Sequence, residues 1–177
     1  MPYKPRQRGV SLIEVLIAVL IFSIGLIGLA GLMVVSTRSN HVAYLRTQVT
    51  FLANNMAERM SANPRGVWSG AYNNGSYPVG AGSVTCSSSS PCSPADLAVY
   101  DQQSWSNQLR TFLPNPTASI VCAGVTAVSY NPIGNLPQRP PYGGNCVMEI
   151  NWTERSERGQ APLHGDNVQT FVWNFQP

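Results

Sequence analysis

Charged residues are scarce in this chain, and lysine occurs only once. Asp, Glu, Lys and Arg together make up 11% of the 177 residues. Lys4, Arg6 and Arg8 all precede Val10, so eight of the 11 basic residues face the eight acidic ones over the remainder. A remainder with no net charge offers no basic patch of the kind that attracts a phosphate backbone. We therefore expect no nucleic acid among the partners.

Short catalytic motifs are absent as well. The sequence contains no G-x-S-x-G nucleophile elbow, no H-E-x-x-H zinc motif and no glycine-rich phosphate loop. His164 and Asp166 lie two residues apart beside a glycine, and we interpret them as solvated loop residues. We expect no enzyme activity, no cofactor and no bound metal. A membrane-anchored hydrolase that uses His164 is an alternative from a different class.

The few cysteines do not form a metal-binding pattern. They stand at positions 86, 92, 122 and 146 without a C-x-x-C pair, so an oxidising compartment with two disulfides is favoured over zinc. Four cysteines allow three connectivities. We favour Cys86–Cys92, because it closes the short CSSSSPC loop. We also favour Cys122–Cys146, because it flanks a hairpin-like excursion.

One long segment lacks charge altogether. Val15 to Val35 contains 21 residues without a charged side chain. As a helix it would span roughly 30 Å, the thickness of a bilayer core. A secretory signal peptide would have a shorter apolar region, about 7–15 residues, and a small-residue cleavage site. The segment therefore predicts a transmembrane helix, with the carboxylate of Glu14 directly before it.

The helical pattern continues beyond the apolar segment. We predict one helix from Ser11 to Ala62, on the order of 75 Å long, ended by Asn63 in a left-handed cap and by Pro64. No small domain covers a rod of that length, so half of it must be buried elsewhere. Its second half is amphipathic, with apolar residues spaced by three or four at Val42, Leu45, Val49, Leu52, Met56 and Met60.

Three glycines recur at intervals of three inside the apolar segment, at Gly25, Gly28 and Gly31. Small residues allow helices to pack closely in a membrane. Each glycine also costs about 1 kcal/mol relative to alanine in a helix, so three together soften one stretch. Close packing and local softening both remain open.

A second helix is predicted after a long polar segment. Residues 64–93 are rich in Gly, Ser, Asn and Pro and indicate a loop, in which aromatic residues favour partial packing. Ser93 is a suitable N-cap, Pro94 suits the first helical position, and Asp96 completes a capping-box pattern. The predicted inward stripe of this helix comprises Leu97, Tyr100, Trp105, Leu109 and Phe112.

The remaining sequence predicts an antiparallel sheet. Three strand-like segments cover residues 119–128, 146–152 and 169–175, the last two with alternating apolar residues. A three-stranded sheet needs cover for its apolar face, and the amphipathic half of the first helix is available. The predicted fold class is α+β: a long N-terminal helix packed on a small antiparallel sheet, with one extra helix.

The opening stretch RGVSLIEVLIAVLIFSIG resembles the leader of type IV pilins and pseudopilins. In this family a short basic leader ends in glycine and is removed by prepilin peptidase, and the next residue is N-methylated. The resemblance implies cleavage between Gly9 and Val10, methylation of Val10, and a role for Glu14, the fifth mature residue, in aligning subunits. Val10 departs from the phenylalanine that is more frequent there. The leader match covers about 25 residues.

The resemblance also implies the domain organisation of this lollipop-shaped family. Residues 1–9 form the leader, 10–62 the long helix with its transmembrane part at 15–35, and 63–177 the globular pilin domain. The basic leader stays in the cytoplasm by the positive-inside rule. The protein is thus expected to cross the inner membrane once, with its C-terminal domain in the periplasm, and later to enter the extracellular pilus.

Softer signatures are similar to PilV-type minor pilins, namely GLIGLAGL, AYLRTQVTFLANNMAERMSANP and ADLAVYD. They imply a minor pilin of the tip complex that primes pilus assembly and supports presentation of an adhesin, with roles in cell adhesion and twitching motility. The implied partners are prepilin peptidase, other minor pilins, the major pilin and a tip adhesin. A minor pseudopilin of a type II secretion system is the neighbouring alternative, and a DNA-binding competence pseudopilin is a further one.

Overall fold

The computed structural model describes residues 9–123, 133–154 and 168–177. The chain divides into two compact units, Met1–Ala43 and Tyr44–Pro177. The elements follow in the order α1 (Leu12–Ala62), α2 (Pro64–Trp68), β1 (Asn74–Tyr77), α3 (Pro94–Phe112), β2 (Thr117–Cys122), a 3-10 helix (Ile133–Gln138), β3 (Cys146–Thr153) and β4 (Val168–Phe175). The predicted α+β fold, with a long apolar helix, an antiparallel sheet and an extra helix, is confirmed.

Helix α1 has nearly the predicted bounds. The carbonyl oxygen of Ser11 accepts hydrogen bonds from the N–H groups of Glu14 and Val15, at 3.0 and 3.3 Å. The left-handed cap predicted at Asn63 is wrong, because its backbone has φ −125° and ψ 61°. Instead, the Asn63 side chain accepts a hydrogen bond from the Gly66 N–H at 3.2 Å. Asn63 therefore caps the start of α2, where Pro64 suits the first position.

The second half of α1 supplies one wall of the core in the Tyr44–Pro177 unit. The predicted stripe is buried from Leu45 to Met60, while Val42 is half-buried. Trp105 of α3 is fully buried and donates its indole N–H to the Leu52 carbonyl at 2.9 Å. The amphipathic half of α1 is therefore joined to α3 by packing and by hydrogen bonds that include this one.

Helix α3 begins as predicted, and the predicted stripe is confirmed at Trp105 and Leu109 but not at its two exposed aromatic positions. The Ser93 hydroxyl oxygen accepts from the Asp96 N–H at 3.1 Å, and Pro94 is the first helical residue. Tyr100 and Phe112 were expected inside, yet each is 37% exposed. The expectation followed the largest apolar residues, whereas the helix turns small and polar residues inward. The buried positions are Ala98, Asp101, Trp105, Ser106 and Leu109.

A buried polar network explains why α3 turns Asp101 inward. The Arg59 guanidinium of α1 contacts one Asp101 oxygen at 2.9 Å. The Tyr72 hydroxyl donates to the other oxygen at 2.7 Å, and Asn63 donates to the Tyr72 hydroxyl at 3.1 Å. Burial, together with the hydrogen bond to Asp101, raises the pKa of Tyr72 well above its ordinary value. The charge of Asp101 is thus paired and hydrogen-bonded, as a buried carboxylate requires.

The sheet has four antiparallel strands in the order β1–β2–β3–β4. The expectation of three strands is corrected by β1, which comes from the segment predicted as a loop. A four-residue strand containing Gly75 carries too weak a pattern to be recognised alone. The three predicted strands are present as β2, β3 and β4, although the expected continuation of β2 beyond Ala123 lies outside the described residues. Ile120, Met148 and Ile150 are fully buried on the core face.

Both disulfides lie in the Tyr44–Pro177 unit and join the pairs favoured from the sequence. Cys86 and Cys92 are bonded over a separation of six residues, and Cys122 and Cys146 over 24. Cys122 lies directly opposite Cys146 in the β2–β3 register, so this bond links two neighbouring strands. The Cys122–Cys146 bond closes the longer loop and also ties the core of the sheet, where Cys146 is fully buried.

Removing the two disulfides should have unequal effects. In the chain-entropy estimate, replacing both Cys122 and Cys146 by Ser lowers the free energy of unfolding by about 3.5 kcal/mol. The Cys86–Cys92 bond closes a shorter loop, so the matched double replacement of these two cysteines by Ser should cost about 2.4 kcal/mol. Denaturant unfolding of the full chain in detergent measures both, and peptide mapping without reductant checks the pairing. Equal losses, or a Cys92–Cys122 peptide, would contradict this expectation.

Alkaline pH should destabilise the Tyr44–Pro177 unit through its buried tyrosines. The pKa of Tyr72 is raised on folding, so its contribution to stability is intact below about pH 10, the ordinary tyrosine value, and is lost as the pH rises. We expect Tyr72→Phe to reduce the alkaline slope of the unfolding free energy by up to about 1.4 kcal/mol per pH unit. Tyr44→Phe, at an exposed position, is the matched control. Identical slopes in both variants would refute the assignment.

Candidate processing site and assembly helix

The predicted cleavage site lies in backbone that is open to a protease. Gly9, Val10 and Ser11 precede α1 and are outside regular secondary structure. The Val10 side chain is 70% exposed. Peptide bonds outside helices and strands, in exposed segments, are the preferred sites of proteolysis. The Gly9–Val10 bond therefore has the accessibility that cleavage needs.

Glu14 is in the first turn of α1 and is exposed. The first N–H groups of a helix lack intrahelical partners, and the helix dipole places partial positive charge there. A carboxylate in the first turn is stabilised by roughly 0.3–1 kcal/mol in this position. Among the described residues, no cationic side chain pairs with Glu14. Val10 is four residues before Glu14, a separation at which residues become neighbours when both lie on one helix, but in this structure α1 begins at Leu12.

The apolar part of α1 is exposed all round within this chain. Each large apolar side chain between Leu12 and Val35 is at least 50% exposed. Helix α1 contains a segment long and apolar enough to cross a membrane. Single exposed apolar residues are ordinary, but a contiguous surface of this size marks contact with a membrane or another protein. The residues that the structure describes do not bury this surface.

The three glycines of the apolar segment have enough space around them for a larger side chain. A Cβ added at Gly25, Gly28 or Gly31 would meet nothing within 4 Å, apart from the helix's own nearby backbone. Gly66 in α2 is the contrasting case, because a Cβ there would collide with the Asn63 side chain. The reason for glycine at the first three positions must therefore come from a neighbouring helix or from helix softness.

Other candidate chemistry is weaker. Within the parts of the chain that the structure describes, no three His, Cys, Asp or Glu side chains converge on a possible metal position. The four cysteines are all in disulfides. His164 and Asp166, and the leader residues Lys4, Arg6 and Arg8, lie outside the described residues.

Comparison with known families agrees with the geometry of the N-terminal segment. Residues 4–30 match the family described as the prokaryotic N-terminal methylation motif. The match includes Gly9, Val10, Glu14 and residues 15–30, which are most of the apolar segment. Neither the curated proteins nor the solved structures gave a match.

The matched motif carries consequences for processing and location. It implies cleavage by prepilin peptidase and assembly with other pilins, and the apolar helix fits anchoring in the inner membrane before assembly. Proteins with this motif are generally structural rather than catalytic. The chain thus carries the N-terminal methylation motif of type IV prepilin-like proteins, which supports its assignment to the type IV pilins and pseudopilins.

Proposed function

We propose that this protein is a minor pilin, similar to the PilV type, that takes part in the tip complex of a type IV pilus. The observation that carries the proposal is the match over residues 4–30, with Glu14 in the fifth position after Gly9 and an exposed apolar helix behind it. In this role the protein primes assembly with other minor pilins and the major pilin. It also supports display of a tip adhesin, and through it adhesion and twitching motility.

Processing is the first step of the proposed mechanism. Prepilin peptidase hydrolyses the Gly9–Val10 peptide bond, which leaves a carboxylate on Gly9 and a free α-amino group on Val10. The deprotonated amine then attacks the methyl carbon of a sulfonium methyl donor, whose C–S bond breaks to leave a thioether. The methylated amine is basic and carries a positive charge at neutral pH. The new charge lies at the positive end of the α1 dipole, where it is unfavourable. The processed helix therefore needs an anion close to its first residue.

Glu14 supplies that anion. A carboxylate and an ammonium group about 4 Å apart attract by about 4 kcal/mol at an effective dielectric of 20, before desolvation is subtracted. An unpaired carboxylate towards the bilayer centre costs roughly 3 kcal/mol, and less near the interface. Pairing with the Val10 amine, in the same subunit or in the next one, offsets this cost. Pairing between subunits also gives a specific axial alignment, because only one stagger brings the two charges together.

The apolar surface of α1 supplies the non-directional part of the assembly energy. It lies in the inner membrane before assembly, with the Tyr44–Pro177 unit on the periplasmic side, and between neighbouring helices afterwards. Moving from lipid to packed helices brings little hydrophobic gain, so close packing must contribute. Gly25, Gly28 and Gly31 have free space around them in the chain and would admit a neighbouring helix.

A minor pseudopilin of a type II secretion system is the second candidate. It shares the motif, the processing and the helix packing, and differs in the machine that it joins. The pilin alternative is favoured by the sequence signatures of the second half of α1 and of α3, which are similar to PilV-type proteins. A competence pseudopilin is disfavoured, because the chain after Gly9 has eight basic and eight acidic residues and DNA binding depends on neutralising phosphates.

Blocking cleavage should trap the precursor in the membrane. We expect Gly9→Val to prevent processing, because a β-branched side chain replaces the hydrogen that the peptidase recognises next to the scissile bond. Intact mass spectrometry of the membrane fraction should then find residues 1–9 still attached and no methyl group on Val10. Gly31→Val, farther along the apolar helix, is a control that should be cleaved normally. Normal cleavage of Gly9→Val would contradict the proposed site.

Replacing Glu14 should impair assembly but leave membrane insertion intact. We expect Glu14→Ala to be inserted and cleaved normally, but to be at least about tenfold depleted from sheared surface filaments, since the pairing energy exceeds 1.4 kcal/mol. Glu58→Ala, at another exposed position on α1, is the matched control and should assemble normally. Unchanged filament content of Glu14→Ala would refute the alignment role.

Measurements of pilus number and of enzyme secretion distinguish the two candidate functions. A minor pilin should be present in sheared filaments and should be needed for normal pilus number. A pseudopilin should instead be needed for release of secreted enzymes, with pilus number unchanged. Loss of secretion with normal piliation would therefore favour the second candidate.

A further inference from the structure

The two disulfides differ in their access to solvent. Cys146 is fully buried, and Cys122 is only 7% exposed. Cys86 and Cys92 are both half-buried, and the residues between them, 87–91, are all exposed. Thiol–disulfide exchange begins when a thiolate reaches a disulfide sulfur, so its rate depends on access. The Cys86–Cys92 bond is therefore the one that an external thiol can reach in the folded protein.

Cys92 lines a cavity in the Tyr44–Pro177 unit. The cavity has a volume of about 200 Å³, and its walls come from the end of α1, the starts of α2 and α3, and the segment after the 3-10 helix. Pockets for drug-sized ligands hold about 300–1,000 Å³, so this one suits a smaller molecule. A small thiol that enters the cavity comes to lie beside one of the two bonded cysteines.

Two arginines give this cavity a positive charge. Arg65 of α2 and Arg139 both line it and are exposed. Among the described residues, neither guanidinium forms a salt bridge with a carboxylate, and no Asp or Glu lines the cavity. The carboxylate of Asp96 accepts from the Ser93 hydroxyl at 2.6 Å, outside the lining. Guanidinium groups bind carboxylates and other oxyanions through charge-assisted hydrogen bonds, so the cavity favours an anionic molecule.

We propose that the Cys86–Cys92 disulfide is a thiol-exchange site that reacts preferentially with small thiols carrying a carboxylate or sulfonate group. The anionic group binds Arg65 and Arg139, and the thiol of the same molecule then lies beside Cys92. The site thus combines a disulfide that is accessible with a cavity that selects its reaction partner by charge. Membership of a pilus or of a secretion machine is not required for this chemistry.

The exchange needs no reactant besides the thiol. The thiolate sulfur attacks Sγ of Cys92 and forms a new S–S bond, while the Cys86–Cys92 bond breaks and its electron pair leaves on Cys86 as a thiolate. The products are a mixed disulfide on Cys92 and a free thiol on Cys86. Because the loop between the two cysteines is short, Cys86 can attack Cys92 in turn, expel the added thiol and restore the original bond.

The start of α3, directly after Cys92, is held by contacts other than the disulfide. The Ser93 hydroxyl accepts a hydrogen bond from the Asp96 N–H at 3.1 Å. The Asn63 side chain donates to the Pro94 carbonyl at 2.8 Å, which joins this turn to the end of α1. We therefore expect the exchange to take place in the folded protein and to leave α3 in place.

Two thiols of opposite charge test the site. The full chain in an uncharged detergent is treated with mercaptoethanesulfonate, which is anionic, or with thiocholine, which is cationic. Each rate is divided by the rate of the same thiol with bis(hydroxyethyl) disulfide, which removes the intrinsic difference in reactivity between the thiols. Peptide mass spectrometry after alkylation should find the added thiol on Cys92 and the alkyl group on Cys86, with Cys122–Cys146 intact. We expect the anionic thiol to react at least about fivefold faster.

Variants of the two arginines identify the source of the charge preference. We expect Arg65→Gln and Arg139→Gln each to lower the preference for the anionic thiol by at least about twofold. Arg46→Gln, at an exposed position on α1 outside the cavity lining, is the matched control and should leave it unchanged. If a variant does not fold, the wild-type rates still decide, because raising the salt concentration should reduce the preference.

Three results would overturn the proposal. The first is equal normalised rates for the two thiols, or a preference that neither arginine variant nor salt reduces. The second is an added thiol found on Cys86 instead of Cys92. The third is reduction of Cys122–Cys146 before Cys86–Cys92, since the buried bond would then be the more accessible one.

Discussion

The structure depends on an apolar surface that the described residues leave exposed. From Leu12 to Val35, every large apolar side chain of α1 is at least half exposed, over a length that matches a bilayer. Such a surface must be covered by lipid or by protein, because exposure to water of this extent leads to association. The need to cover this surface accounts for three features of the proposed mechanism. These are the proposed processing site, the carboxylate in the first turn and the glycines of the apolar segment.

Helix α1 is exposed in the first unit, but one of its faces is buried in the second unit. In the Tyr44–Pro177 unit one face of α1 is buried against α3 and the sheet, whereas Tyr44 and Phe51 remain exposed. Its polar side also contributes, since Arg59 reaches Asp101 and thereby joins the Tyr72 and Asn63 network. A buried carboxylate with a cation and a hydroxyl group is costly to disturb. The network thus joins the end of α1 to the following segment and to α3.

The two edge strands of the sheet differ in length and in regularity. Its short β1 edge ends in irregular pairing and proline, while β4 remains a long, regular and uncharged strand. The Cys122–Cys146 bond joins β2 to β3 in the middle of the sheet. It therefore fixes the register of these two central strands covalently.

Local patterns by themselves determined much of this protein. The periodicity of α1, its start near Ser11, the Ser93 cap and the three longer strands were all predictable, because each depends on residues close together in sequence. The processing site and Glu14 belong to one short motif for the same reason. Only the tertiary structure decided the partner of Arg59, the inward face of α3, the role of Asn63 as an N-cap and the recruitment of β1. These features depend on residues distant in sequence, where a weak local preference is overruled by burial and by the pairing of a buried charge.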